Sequence, residues 1–445
     1  MKVLRLLIIL FLISSSTYTF CQSKVSLLDR HLKNYDFNFK RLISSRGAEP
    51  YEESTIENLK KNIRLYSGRD TNTSYLFYHF DKDTLHIWCF SQFRIEAYEF
   101  IKITLKELTE LEVNLKESLR FSSVTQRGAK MTNRNQTLNS DGYISKTSEI
   151  LFPKSVADVL INKKYLLILP SVNIGSFPFY ILKPWNDSTA MIDRLTIAVL
   201  PSFSDLLRFN SINQSLFKVY KYKDTLVFTP EREPLVVGDP TFGKVCKNDL
   251  DKLPGAKKEA SVIATKLNTE LITNKDANPQ QILNKMEQTD LLYFACHGIA
   301  DTLDPLNESY LLLSDEADKC GKLTARMIQK SRLLPNTIVF LSACRTGSGK
   351  THSGGIIGVS RAFIIAGASS VIMSLWDVGD KATGEMMPTV MDSMFVYSPF
   401  FPATNIRNAI LEYRKTNPNP RDWGAFSYFG IPFPVNVPAK LNLSK

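Results

Sequence analysis

Leu291-Leu-Tyr-Phe-Ala-Cys-His-Gly298 and Ile338-Val-Phe-Leu-Ser-Ala-Cys-Arg-Thr-Gly347 decide the fold. Each is a short apolar run without alternation, and each ends in a residue able to do chemistry: His297 in one, Cys344 in the other. Such a run reads as a strand buried on both faces, the habit of parallel sheets. Tyr165–Leu169, Leu235–Val237, Thr337–Leu341 and Ser370–Leu375 share this character. Helical patterns lie between several of these runs, at Ala256–Leu267, Ala277–Glu287 and Ile356–Ala366. Strands alternating with helices predict an α/β fold with a mostly parallel sheet flanked by helices. Reactive groups of such sheets gather beyond the carboxyl ends of the strands.

Upstream the texture changes. Residues 74–80, 85–90 and 97–103 are aromatic and β-branched, with turn-like breaks between them, and predict a β-meander. A helix is expected over about 104–120. The polar stretch 128–148 reads as a loop and an internal boundary. The expected organisation is a signal peptide at 1–22, a helical segment at 23–70, the meander and helix at 71–148, the main α/β domain at 149–437 and a tail at 438–445.

The signal reading rests on Lys2 and Arg5, the apolar run Leu6 to Ile13 and a polar exit from Ser14 to Gln22. It predicts an exported protein, in the periplasm, at the cell surface or secreted. No later stretch approaches the ~18 apolar residues of a spanning helix, so no stable membrane insertion is expected once the signal is removed. The net charge of +11 is dispersed over the chain, which argues for solubility rather than a nucleic-acid site. Beyond the signal stand Cys89, Cys246, Cys296, Cys320 and Cys344, an odd number and too few for a disulfide framework. Without a CxxC or a His/Cys cluster at zinc spacing, neither a structural metal nor a cofactor is expected.

His297 and Cys344 stand 47 positions apart (344 − 297). If their strands are neighbours, both side chains leave one edge of the sheet. A thiol with a resting pKa of ~8.5 is only slightly ionised at neutral pH, and an adjacent imidazole takes its proton during attack. The same imidazolium then protonates the leaving amine. The backbone N–H groups of Gly298 and Cys344 are the candidate oxyanion donors, each worth ~3–4 kcal/mol at a tetrahedral intermediate. Set against this, a cysteine at a strand end is by itself more often a small core residue, and a lone histidine more often a structural hydrogen-bonder.

The chain resembles the CHAT family, relatives of caspases and separases in clan CD. The likeness is carried by Leu253-Pro-Gly-Ala-Lys-Lys-Glu259, Phe294-Ala-Cys-His-Gly298 and Leu341-Ser-Ala-Cys-Arg-Thr-Gly347. Further matches are Arg361-Ala-Phe-Ile-Ile-Ala-Gly-Ala368, Ser374-Leu-Trp-Asp-Val-Gly-Asp380 and Trp423-Gly-Ala-Phe426. The resemblance implies a caspase-like fold and a cysteine endopeptidase with its dyad on His297 and Cys344. It also implies cleavage after a basic residue held by an acidic group beyond the Leu-Trp strand. Asp380 is the first candidate for that role and Asp377 the second; either also suits the cap of a helix beginning near Lys381. The implied partners are a protein or peptide substrate and a regulatory protein, although the helical repeats of many relatives are not recognisable here. Cys296, beside the dyad histidine, departs from what the family leads one to expect.

Two rival readings exist. One is a non-catalytic caspase-like interaction module. The other takes Cys344-Arg-Thr-Gly-Ser-Gly-Lys-Thr351 as the phosphate-binding loop of a nucleotide hydrolase, with Cys344 where the first glycine belongs. That loop needs a helix after Lys350-Thr351, and His352-Ser-Gly-Gly355 is a poor first turn.

Overall fold

The computed structural model describes residues 24–35, 37, 57, 72–91, 94–121, 139–187, 189–202, 217–222, 225–242, 253–316, 319–335, 337–342, 350–352, 355–376, 378, 380–396 and 402–432. The signal-peptide reading, most of the segment 36–70 and the tail lie outside them.

The meander forms as expected. β1 (Thr73–Asp81) and β2 (Thr84–Ser91) join through Lys82 and Asp83, both at positive φ (46° and 55°). Two left-handed residues in a two-residue loop match the twist of an antiparallel pair. β3 (Arg94–Lys102) completes the meander. The alternation of β1 is buried on both faces. Leu76 and Tyr78 join the main core with Leu108, Leu111 and Leu115 of α1 (Leu105–Phe121). Tyr75 and Phe77 face Leu28, Leu32 and Tyr35 of an N-terminal helix at 24–35. α1 starts on a capping box: Thr104 N–H donates to Glu107, and Glu107 N–H donates to the Thr104 hydroxyl.

The polar stretch read as a loop is partly helix. α2 (Ser140–Leu151) begins at Asn139, whose side chain accepts the Gly142 N–H at 2.9 Å. Its buried face includes Thr147 and Ser148 beside Ile144 and Leu151, so it carries too little apolar periodicity to be recognised from sequence.

The remaining sheet strands are β4 (Tyr165–Leu169), β5 (Thr196–Val199), β6 (Leu235–Pro240), β7 (Leu271–Asn274), β8 (Leu291–Ala295), β9 (Ile338–Ser342), β10 (Ser370–Ser374) and β11 (Phe426–Gly430). With the meander they form one eleven-stranded sheet in the order β3-β2-β1-β4-β5-β11-β10-β9-β8-β6-β7. The meander is continuous with the rest, because β1 pairs in parallel with β4. Apart from the meander pairs, only β10 and β11 are antiparallel. The sheet therefore contains two parallel runs that point in opposite directions, joined at that pair.

Helices cover both faces of the second run. α3 (Pro254–Leu267) lies over the face carrying Tyr293, and α4 (Val359–Ala366) over the face carrying Phe294, whose ring is 5.8 Å from that of Phe363. Each large apolar side chain buried in this way contributes ~1.5–3 kcal/mol. α3 approaches so closely that a Cβ on Gly238 of β6 would lie 2.4 Å from the Ala260 Cβ. Gly367, at φ 129°, ends α4 and turns the chain into β10. Among the described residues, no helix is long and apolar enough to cross a membrane.

Candidate functional site

β8 and β9 are adjacent and parallel, and their last paired residues are Ala295 and Ser342. His297 lies two residues past Ala295 in the chain, and Cys344 two past Ser342. Cys344 and Asp377 are outside the described residues. Asp380 is the first residue of α5 (Asp380–Val396), close to where a helix start was expected.

His297 is not at the strand end itself. β8 stops at Ala295, Cys296 makes a bend, and His297 opens a separate antiparallel sheet. There His297–Ile299 pairs with Tyr310–Leu312, which pairs with Lys322–Thr324. The physical reason is the end of the parallel ladder. Gly238 and Ser342 are the partners of Ala295 in the flanking strands, and beyond them the backbone must find new hydrogen bonds. Gly298 is half-buried and opposite Leu311 in this small sheet.

The His297 imidazole is half-buried, with the Phe242 ring edge-on at 5.4 Å and 80°. Phe242 also packs into a small apolar cluster of Tyr310, Leu312, Ile299 and Cys320. An aromatic edge of this kind limits the ring's orientations on one side. Cys296, which immediately precedes it, is buried in the main core.

Cys89 and Cys296 are buried thiols outside any disulfide. Cys320 is disulfide-bonded, and its partner is therefore one of the cysteines outside the described residues. Nothing in the residue spacing points to this bridge. Among the described residues, no group of three or more His, Cys, Asp or Glu is arranged to hold a metal ion.

The phosphate-loop reading fails on backbone conformation. Lys350–His352 is a strand, paired antiparallel with Gly355–Ile357, where a nucleotide loop needs the first turn of a helix. The helix expected from Ile356 begins instead at Val359.

Beneath the site lies a polar chain that sequence reading missed. The Tyr293 hydroxyl on β8 donates to Oε1 of Glu259 on α3 at 2.5 Å, and the Ser342 side chain of β9 lies beside the same hydroxyl. Burial, then the Glu259 charge, hold the Tyr293 phenol well above its ordinary pKa, so it keeps its proton. A tyrosine in a strand buried on both faces was the available signal, since its hydroxyl must find a partner.

A family model for the CHAT domain matches residues 147–431. The chain belongs to the CHAT domain family. Its mixed sheet and flanking helices form a caspase-like α/β architecture. Tetratricopeptide repeat protein 28 of Homo sapiens is 21% identical over 323 residues, 62% of this chain and 12% of that protein. Its Mus musculus counterpart is 21% identical over 310 residues, 59% of this chain and again 12% of the relative. The CHAT chain thus spans about an eighth of the length of these relatives. Among solved structures, Saccharomyces cerevisiae separase in its complex with securin aligns with a TM-score of 0.52 at 12% identity. That alignment covers 84% of this chain and 31% of separase, and shows likeness of fold.

Proposed function

We propose that this CHAT protein is an exported cysteine endopeptidase that uses Cys344 as nucleophile and His297 as its base, and cleaves after a basic residue. The observation that carries the reading is the Ala295–Ser342 pairing at the ends of β8 and β9. Adjacent strands lie ~4.8 Å apart. A step of two residues adds at most ~7 Å at each end. Positions 297 and 344 each follow by two residues a strand end on one edge of the sheet, which supports the reading that their side chains exchange a proton.

In this mechanism the Cys344 sulfur attacks the scissile carbonyl as its proton passes to His297. The C–N bond breaks as the imidazolium protonates the departing amine. Water, deprotonated by His297, then hydrolyses the thioester and restores the thiol. The Gly298 and Cys344 N–H groups serve the oxyanion. Asp380, with Asp377 as the alternative, holds the substrate guanidinium or ammonium by charge-assisted hydrogen bonds.

The test is labelling of the full chain with an activated Arg-ketone, with mass spectrometry to locate the adduct. The adduct is expected on Cys344, and it should disappear in Cys344→Ala and His297→Ala. Both variants should melt like the wild type, because each position follows a strand end in the chain. The rival reading is a non-catalytic interaction module. Full biological activity of Cys344→Ala, together with no adduct on the wild type, would establish that rival.

A further inference from the structure

We infer that Glu259, Tyr293 and Ser342 form a positioning relay that fixes the exits of β8 and β9 toward the two reactive residues; this rests on the peptidase reading. Three observations converge on it. Glu259 is a carboxylate only 2% exposed, on a helix that covers the sheet. Tyr293 is fully buried on β8 and reaches up to that carboxylate at 2.5 Å. Ser342 is the last residue of β9, on the same sheet face as Tyr293, and its side chain lies beside the same phenol. One hydroxyl thus ties the helix, the strand leading to His297 and the final residue of the strand leading to Cys344.

The direction of the hydrogen bonds is set by the proton inventory. A carboxylate only accepts, so Tyr293 donates to Glu259. The phenol oxygen is then free to accept from Ser342. Strand alternation agrees, because Tyr293 and Ala295 share a face with Phe340 and Ser342, and the Tyr293 and Phe340 rings stack at 5.9 Å.

The relay matters because of where the backbone ladder stops. Ala295–Ser342 is the last pair between the two strands among the described residues. A side-chain tether at Ser342 sits two residues before Cys344 and restrains the direction in which the chain departs. A buried carboxylate adds little bulk stability where an apolar residue packs as well. Its use here is geometric.

Tyr293→Phe keeps the stacked ring and removes the hydroxyl, and Ser342→Ala cuts the last link. For an Arg-ending peptide reporter, each should lower kcat about 10- to 100-fold, the scale of a small misplacement of reacting groups, with KM within about twofold. Melting should remain cooperative. Glu259→Gln still accepts the Tyr293 hydrogen bond and should lose much less kcat than Glu259→Ala. If the wild type cleaves and is labelled at Cys344 while Tyr293→Phe and Ser342→Ala keep wild-type kcat, the relay is overturned and the peptidase reading stands. The relay is equally overturned if losses vanish on correction for folded fraction, or fall on KM alone. Should Tyr293→Phe fail to fold, Ser342→Ala at the half-buried strand end decides. An inert, unlabelled wild type overturns the relay together with the reading beneath it.

Discussion

Trp88 donates its indole N–H to Nδ1 of His31 at 3.2 Å, and so joins the N-terminal helix to the meander. Two more imidazoles crowd the same place: His79 and His86 each lie with ring centroids 4.4 Å from His31. Burial, reinforced by His79 and His86, pushes His31 down from 6.5 to about 3. Burial and His86 push His79 down to about 4. Burial lowers His86 as well, with Lys102 adding to the effect and Asp81 opposing it. Arg30 further disfavours charge on His31, whereas Asp81 favours it.

These depressed values make the helix attachment acid-sensitive. The unfolded chain binds protons on these histidines near pH 6.5, whereas in the folded chain His31 does so only near pH 3 and His79 near pH 4. Folding stability is therefore intact above pH 6.5 and falls as the pH drops toward 4, by up to ~1.4 kcal/mol per unit of depression at His31 and His79. Urea midpoints at pH 7.5 and pH 5, read by tryptophan fluorescence, are expected to differ, with the lower midpoint at pH 5. A His31→Asn variant should flatten the difference; identical midpoints in the wild type would refute the account.

Asp380→Ala should reduce cleavage after Arg and Lys by at least tenfold while leaving neutral substrates unchanged. A paired charge in a partly dry pocket is worth ~1.5–3 kcal/mol, enough for that factor. The measurement is kcat/KM for matched Arg and neutral reporters, with Asp377→Ala alongside. Equal cleavage of both reporters by the wild type would remove the acidic pocket.

Peptide mapping without reductant is expected to join Cys320 to Cys246. Cys320 packs with Phe242, and Cys246 follows four residues later, a span of at most ~14 Å. That leash allows the ~4.4–6.8 Å Cα separation of a disulfide. With this pairing, Cys344 should take the Arg-ketone without added reductant. A Cys320–Cys344 bridge would give the opposite behaviour, with labelling only after reduction.

Gly238→Val should destabilise the fold by ~1–3 kcal/mol, because the new side chain meets Ala260 of α3 at the tightest point of the helix–sheet contact. A lower urea midpoint at unchanged slope would register it. Wild-type stability in this variant would mean that α3 moves away at little cost.

The local texture of the chain is informative where burial is symmetric. Tyr165–Leu169 and Leu291–Ala295 are legible to the residue, because strands covered on both faces must be apolar throughout. Phe426–Gly430, by contrast, stands out only where a motif touches it, and Thr196–Val199 not at all. α2 is hidden by the hydroxyl residues on its buried face.

The amino-acid order alone determined the α/β class, the meander, the run of strands and the two chain positions, 297 and 344, worth watching. Those features depend on neighbours in sequence, whose periodicity and turn chemistry are written locally. Tertiary structure decided that the meander and the α/β region share one sheet, and that Ala295 and Ser342 end side by side. It also decided that His297 begins a new sheet, that Tyr293 answers to Glu259, and that His31 of the N-terminal helix meets the hairpin pair His79 and His86. These depend on which strands and helices become neighbours across long stretches of chain, a choice made by burial and hydrogen-bond satisfaction over the whole fold.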